Sequence, residues 1–335
     1  MQTSILIGKI VLVGFLGSSI FLASQVNANQ ISLNKNPIIV DFIDQLVKKD
    51  NFDRNKLIET FDQVQTRPEI IDKMNRPAEA WPWHRYRNIF LKDKRINQGV
   101  AFWNENEALL NAAEKKFGVS AETIVGILGV ETRYGRRSGD FRVIDALTTI
   151  TVDYPKRSRY FKKELRHLFL LAREEKADPM AFLGSYAGAM GKAQFMPSSY
   201  RAYAVDFSGD GKRDLINNTA DSIGSIAAYL SKHGWKRGQP VTARAEVSGK
   251  KFAKFVKKGM KPKVKLADIS EYGVSTALEY KPSAKASLIE LEQKESKEYW
   301  LGLNNFYAIT RYNHSNLYAM AVYQLSQEIK AKREK

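Results

Sequence analysis

Gly129-Val130-Glu131-Thr132-Arg133-Tyr134-Gly135 closes a strongly apolar helix and sets a single carboxylate at its end. The helix reads from a Ser120 cap, with Glu122 in its first turn, to Gly135 as its stop. Ile124, Ile127, Leu128 and Glu131 recur at i, i+3, i+4 and i+7, so Glu131 is expected to point toward the core. Burial disfavours an ionised carboxyl, and the negative end of the helix dipole acts in the same direction. A proton held near neutral pH is what a general acid needs. Two roles are open on this local pattern: acid/base catalysis, or an ion pair with Arg133 or Arg136.

The 335 residues, 44% of them hydrophobic, can bury a large core. Residues 1–28 stand apart from it. Lys9, the apolar run from Ile10 to Ala23 and the small residues around Val26-Asn27-Ala28 read as a secretory signal peptide cleaved after Ala28. An uncleaved anchor is the alternative, against which stand the short run and its interruption by Gly17-Ser18-Ser19. The expected location is therefore the periplasm, with membrane association through a retained signal as the second reading. The chain has no cysteine, which excludes disulfides, a thiolate nucleophile, thiolate-bound metal and the N-terminal Cys of a lipoprotein. A formal net charge of +17 favours polyanionic partners, or serves solubility alone. No nucleic-acid module is recognisable, so an exported chain of this charge is expected to meet the anionic cell wall rather than nucleic acid. A monomer is expected.

Residues 29–118 are expected to form a helical domain, with amphipathic segments from Pro37 to Lys49 and from Val100 to Phe117. The Pro- and Trp-rich stretch Arg76 to Trp83 separates them. Residues 119–238 are helical again, and the pattern resumes over 298–320. Between them, 239–297 reads as a small basic β-containing insert, because Val241 to Val247 alternates as a strand does. From Lys236 to Lys265 there are eleven Lys or Arg against one Glu, a run that either grips an anionic glycan or is merely solvated. Residues 321–335 are expected to be a C-terminal helix packing on the helical domain.

Two further stretches carry chemistry. From Gly184 to Tyr200 the chain is rich in Gly and Ala, with Ser185 and Gln194 as neutral hydrogen-bonding groups and Tyr186, Phe195 and Tyr200 as aromatics. That composition suits a sugar, or a closely packed pair of helices. In Asp206-Phe207-Ser208-Gly209-Asp210-Gly211 oxygen side chains occupy positions 1, 3 and 5 with Gly at 6, the spacing of a calcium loop. Position 12 is Asn217, so a closing carboxylate has to come from Asp221; an ordinary Asp-Gly turn is the alternative. The few scattered His residues give no zinc pattern.

Together these stretches, with Thr310-Arg311-Tyr312-Asn313-His314-Ser315, closely resemble the membrane-bound lytic murein transglycosylase B family over residues 80–325. The resemblance implies a mainly α fold: a lysozyme-like helical core, a helical outer domain and a small β-containing insert. It implies that Glu131 is the sole catalytic acid/base, that Ser185, Gln194 and Asn313 contact the sugar chain, and that Tyr160, Tyr312, Tyr318 and Tyr86 line the cleft. It also implies a structural calcium held by Asp206, Ser208, Asp210, Asp221 and the Lys212 carbonyl, with no organic cofactor, although one residue is inserted before Asp221. Tyr134 stands where Trp is common in the family, a change expected to keep an aromatic wall.

The activity so implied is a lytic transglycosylase acting on peptidoglycan glycan strands, with cell-wall synthesis or division proteins as the recruiting partners the resemblance suggests. It would cleave the β-1,4 bond between N-acetylmuramic acid and N-acetylglucosamine and leave 1,6-anhydromuramoyl ends. One alternative is a muramidase that uses water, with Asp140 or Asp145 as base; another is a non-catalytic, calcium-stabilised peptidoglycan-binding scaffold.

Overall fold

The computed structural model describes residues 33–75, 81–281 and 283–335. The expected signal segment, and Arg76 to Ala80 of the Pro- and Trp-rich stretch, lie outside the described residues. The chain is mainly α-helical. The first α-helix among the described residues is Pro37–Asp50, whose start is fixed by the Asn36 side chain accepting from Ile38 N at 2.9 Å and by Pro37, which has no N–H to lose. That helix buries Ile39, Phe42, Ile43 and Leu46. Phe42 and Phe61 meet Phe169 of the helix Ser158–Glu174, with ring centroids 6.0 and 5.7 Å apart, so the N-terminal helices share one core with the rest of the helical body. Arg166, on the same helix, reaches Asp50 at 2.5 Å and pins the end of the first helix.

The segment from Val100 to Phe117, expected as one amphipathic run, is two helices, Asp93–Glu105 and Glu107–Phe117. The break is at Asn106, whose side chain bonds back to the Phe102 carbonyl at 2.9 Å. Asn competes with the helix in this way because its short amide offers the backbone an alternative partner.

At the centre lies Ala121–Thr132, buried on nearly every side. The C-terminal helix Asn316–Arg333 packs on it as well as on Asp93–Glu105. Contact is close because of glycine: a Cβ on Gly126 would sit 2.8 Å from the Val322 carbonyl oxygen, and one on Gly129 would sit 2.8 Å from Leu325 Cδ2. The terminal helix thus joins the central helix and the outer helical part rather than covering the latter alone.

A five-stranded antiparallel sheet runs in the spatial order Val264–Lys265, Lys285–Glu292, Lys297–Gly302, Thr242–Val247, Val274–Ser275. It has its own apolar cluster, including Phe255, Leu266, Ile269, Leu288 and Leu301. The strands continue to Gly302, past the 297 at which the composition changes. Helix Asn304–Tyr312 then leads back to the core. Among the described residues no helix is long and apolar enough to cross a membrane.

Candidate active site

Glu131 is the penultimate residue of Ala121–Thr132 and is half-buried. Ile124, Ile127 and Leu128 are buried completely, but Glu131 does not continue their face into the core. The helix stops sooner than expected, because Arg133 (φ +51°) and Tyr134 (φ +62°) both turn left-handed. Two consecutive non-glycine residues in that region need support from their surroundings. Tyr134 supplies it: its hydroxyl donates to the Arg95 carbonyl at 2.9 Å, and its ring stacks on Phe102 with centroids 5.6 Å apart. With 7% exposure it lies under the site as an anchor, so the expected aromatic wall at this position is corrected. At the other end of the helix Ser120 occupies the cap position, yet its hydroxyl pairs with Thr123 Oγ1 at 3.0 Å instead of capping the backbone.

Thr132 ties this helix end to the Gly- and Ala-rich stretch. Its hydroxyl donates to the Lys192 carbonyl at 3.0 Å and accepts from Gly135 N at 2.9 Å. That stretch is a set of tight turns, with bridges from Gly184 to Met190 and from Met190 to Phe195, not a helix pair. Ser185 Oγ accepts from Ala189 N at 3.1 Å. Gln194, at φ +51°, donates its amide to the carbonyls of Ser138 and Gly191, both at 2.9 Å. These bonds fix the orientation of both side chains.

The tyrosines come from four other elements. Tyr318, in the first turn of Asn316–Arg333, donates to Glu131 Oε1 at 2.5 Å. Tyr312, the last residue of Asn304–Tyr312, stacks parallel to Tyr318 at 6.4 Å and donates to the Ala193 carbonyl at 2.5 Å. Burial first, and then the Glu131 charge, push both phenols well above their ordinary range, so both remain donors. Tyr86 is close enough to Tyr318 to raise its phenol further. Asn313 follows Tyr312 in extended conformation, and its carbonyl accepts from Ser315 N at 2.7 Å. Tyr160 is the most open of the group at 40% exposure and flanks Tyr229.

Tyr229 was not legible from sequence. It lies inside the helix Thr219–Lys232, with its ring 4.9 Å from Tyr312 and 5.5 Å from Phe195, and it donates to the Arg311 carbonyl at 2.5 Å. Burial raises its phenol to about 12. A lone aromatic among Ala and Ser was the only signal.

Asp145, one of the two alternative bases, is 2% exposed and engaged by Arg142 at 2.7 Å and by Gln65 N at 3.1 Å. Asp140 is exposed, near the short ladder of Phe141–Arg142 with Leu183–Gly184.

The acidic loop lies on a different element. Carboxylate oxygens of Asp206, Asp210 and Asp221 come within 4.8 Å of one another. Asp221, fully buried in the first turn of Thr219–Lys232, accepts from Phe207 N and Ser208 N through Oδ1 and from Asp214 N through Oδ2, each at 2.9 Å. The inserted residue therefore does not keep it from the cluster. Desolvation alone would raise the Asp206 carboxyl, but the N–H groups of Gly211 and Gly209 and the Ser208 hydroxyl together hold it below the ordinary range. The Lys212 carbonyl follows Asp210 in the same turn. Three hard oxygen donors with no ion pair among the described residues fit a divalent cation such as calcium.

The comparisons with known proteins agree with this geometry. The family model described as "Transglycosylase SLT domain" matches residues 34–327. The chain belongs to that family. It is 42% identical over 304 residues to membrane-bound lytic murein transglycosylase B of Escherichia coli (strain K12), covering 88% of this chain and 83% of that one. The soluble lytic transglycosylase SltB1 from Pseudomonas aeruginosa superposes with a TM-score of 0.84 at 45% identity, covering 89% of this chain and all of that one. The Escherichia coli lytic transglycosylase Slt35, solved in complex with calcium, superposes with a TM-score of 0.82 at 41% identity, covering 93% of this chain and 99% of that one. The fold is accordingly lysozyme-like, and the protein is a lytic murein transglycosylase that cleaves peptidoglycan.

Proposed function

We propose that Glu131 performs both proton transfers of this cleavage. The observation that carries the reading is the Tyr318 hydroxyl on Glu131 Oε1, with Tyr312 stacked on Tyr318 and bonded to Ala193, next to Gln194. Glu131 in its acid form gives its proton to the glycosidic oxygen between N-acetylmuramic acid and N-acetylglucosamine, and the bond from C1 to that oxygen breaks. The muramoyl acetamido carbonyl supports the electron-poor C1. Glu131, now a carboxylate, takes the proton of the C6 hydroxyl, whose oxygen closes on C1 to give the 1,6-anhydro end; no water enters. Tyr318 favours the carboxylate of the middle step, since a phenol kept neutral by burial can only donate to it.

Ser185, Gln194 and Asn313 supply neutral hydrogen bonds to the sugars, and Tyr160 and Tyr312 supply ring faces, with Tyr86 and Tyr229 buried behind them. Calcium held by Asp206, Ser208, Asp210, Asp221 and the Lys212 carbonyl has a structural task, neutralising carboxylates that otherwise repel. The substrate places the enzyme in the periplasm, acting as a monomer on glycan strands.

Mass spectrometry of the muropeptides released from purified sacculi tests the reaction. Anhydro ends are one water lighter than reducing ends. A digest dominated by reducing ends would establish the hydrolase instead, and would put Asp140 in question before Asp145, whose carboxylate is already engaged.

A further inference from the structure

In the sheet, Lys265 stands directly opposite Lys285. Like charges in facing cross-strand positions destabilise a sheet unless something neutralises them. The ion pairs of this sheet go elsewhere, to Arg244–Glu298 and Lys297–Glu290. Beside the facing lysines a cavity of about 810 Å³ lies where the insert meets the helical core. Lys236, Arg237, Lys281 and Lys285 line it, with Glu279 the one acidic residue. The Arg237 guanidinium is already committed to the Lys115 carbonyl at 2.7 Å, which leaves three lysines for a ligand. Leu278 and Tyr280, both half-buried against the apolar cluster of the sheet, give the cavity an apolar side. Asn304 also lines it, at the start of a nine-residue helix that has no side-chain cap, so the positive end of that helix adds to the field.

A bare inorganic anion would use the lysines and leave the half-buried Leu278 and Tyr280 uncovered. A short peptide carrying carboxylates and methyl side chains uses both. We propose that this cavity binds the acidic, alanine-rich stem peptide of peptidoglycan, with its carboxylates on Lys236, Lys281 and Lys285 and its methyl groups on Leu278 and Tyr280. The proposal rests on the peptidoglycan reading above and names a second contact with that substrate. The nine-residue helix Asn304–Tyr312 runs from the cavity to Tyr312 and Asn313, a distance of about 13 Å. Five extended residues span about 17 Å, so a stem peptide on a sugar beside Asn313, or on a neighbouring strand, can reach it. The insert then works as a grip that holds the enzyme on peptide-bearing wall.

The test titrates the unmodified full chain with a synthetic acidic tetrapeptide ending in a free D-alanine carboxylate. Its C-terminal carboxamide and inorganic phosphate serve as comparisons. Binding of the free acid is expected, with a loss of about tenfold for the carboxamide and at least about tenfold for Lys281→Glu with Lys285→Glu. Lys281→Gln with Lys285→Gln should weaken it less, and neither variant should lower the melting temperature, since each relieves the repulsion between Lys265 and Lys285. Lys250→Glu with Lys251→Glu makes the same change of charge on the insert outside the cavity and should leave binding intact. In cleavage assays the cavity variants should raise KM on peptide-bearing strands and leave peptide-free strands unaffected. Equal weakening by the Lys250 and Lys251 pair, phosphate binding as tight as the peptide, or no effect of the cavity pairs would each overturn the proposal. The nature of the cleaved ends is read separately, so failure here leaves the catalytic reading standing, and the reverse holds.

Discussion

Replacing Tyr318 by Phe removes one oxygen and keeps the ring, which makes it a narrow probe of Glu131. The lost bond is a charge-assisted one of 2.5 Å whenever Glu131 is ionised. Hydrogen bonds to charged groups contribute about 1.5–3 kcal/mol, so kcat should fall about 10- to 150-fold. KM should change little, because Tyr318 is 2% exposed and offers a ligand almost no surface. The sign of the pH effect follows from which form the phenol favours. Tyr318 donates to the carboxylate and so lowers the proton affinity of Glu131; without it, the limb of the kcat/KM profile that reports Glu131 should move to higher pH. Steady-state cleavage of purified glycan strands across pH, with circular dichroism as the check on folding, measures both effects. A folded Tyr318→Phe enzyme with unchanged kcat and an unchanged profile would refute this account of Tyr318 and weaken the acid/base role of Glu131.

Glu131→Gln should keep the fold and glycan binding and lose nearly all turnover, since an amide cannot deliver or recover the proton; substantial residual cleavage in a binding-competent variant would remove Glu131 from the mechanism. Calcium bound only by the native state should raise Tm by mass action, and Asp210→Ala should abolish that rise while sparing activity below the new melting point. A Tm indifferent to chelator would return the loop to an ordinary turn. Gly126→Val should cost about 1–3 kcal/mol by overpacking, because even a Cβ there would sit 2.8 Å from the Val322 carbonyl oxygen; denaturant unfolding reads this, and an unchanged midpoint would mean that the two helices are not seated as described. Arg166→Met tests a pH effect. The Arg166 hydrogen bond holds the Asp50 carboxyl below its ordinary 3.8 against the opposing effect of burial, so its stabilisation is present above that value and disappears as pH falls through the lowered one. Because Arg166 is part-exposed, the difference from the unmodified protein should be no more than about 1 kcal/mol near neutrality and should vanish in acid; a difference that persists in acid would assign it to packing.

Several features of the molecule needed nothing beyond the chain itself. Apolar periodicity sets the helices, because that signal acts within a turn or two of backbone; the caps Asn36, Asp53 and Asn218 emerged only in the structure, and Ser120, the cap read from the sequence, pairs with Thr123 instead. Alternation over Thr242–Val247 sets the start of the sheet for the same reason. The acidic loop was legible because its ligand spacing is local, and Asp221 could be named as the closing carboxylate; only the fold showed that it reaches the loop from the first turn of the next helix. Where an Asn bonds back to its own helix, as at Asn106, the local pattern misled and one run became two helices.

What the sequence by itself determined was which residue types could do chemistry: one carboxylate at a helix end, a smooth Gly- and Ala-rich wall with Ser185 and Gln194, and a cysteine-free chain. Only the tertiary structure decided what surrounds Glu131. Tyr318 lies 187 positions away and comes from another helix, and Tyr229 enters from a third. It also moved Tyr134 from the wall to the foundation and stopped the central helix at Thr132, where two left-handed residues follow. The physical reason is one of range. Propensity, capping and loop spacing are settled by neighbours in the chain, whereas burial, proton affinity and the company a carboxyl keeps are set by whichever elements the fold packs against it.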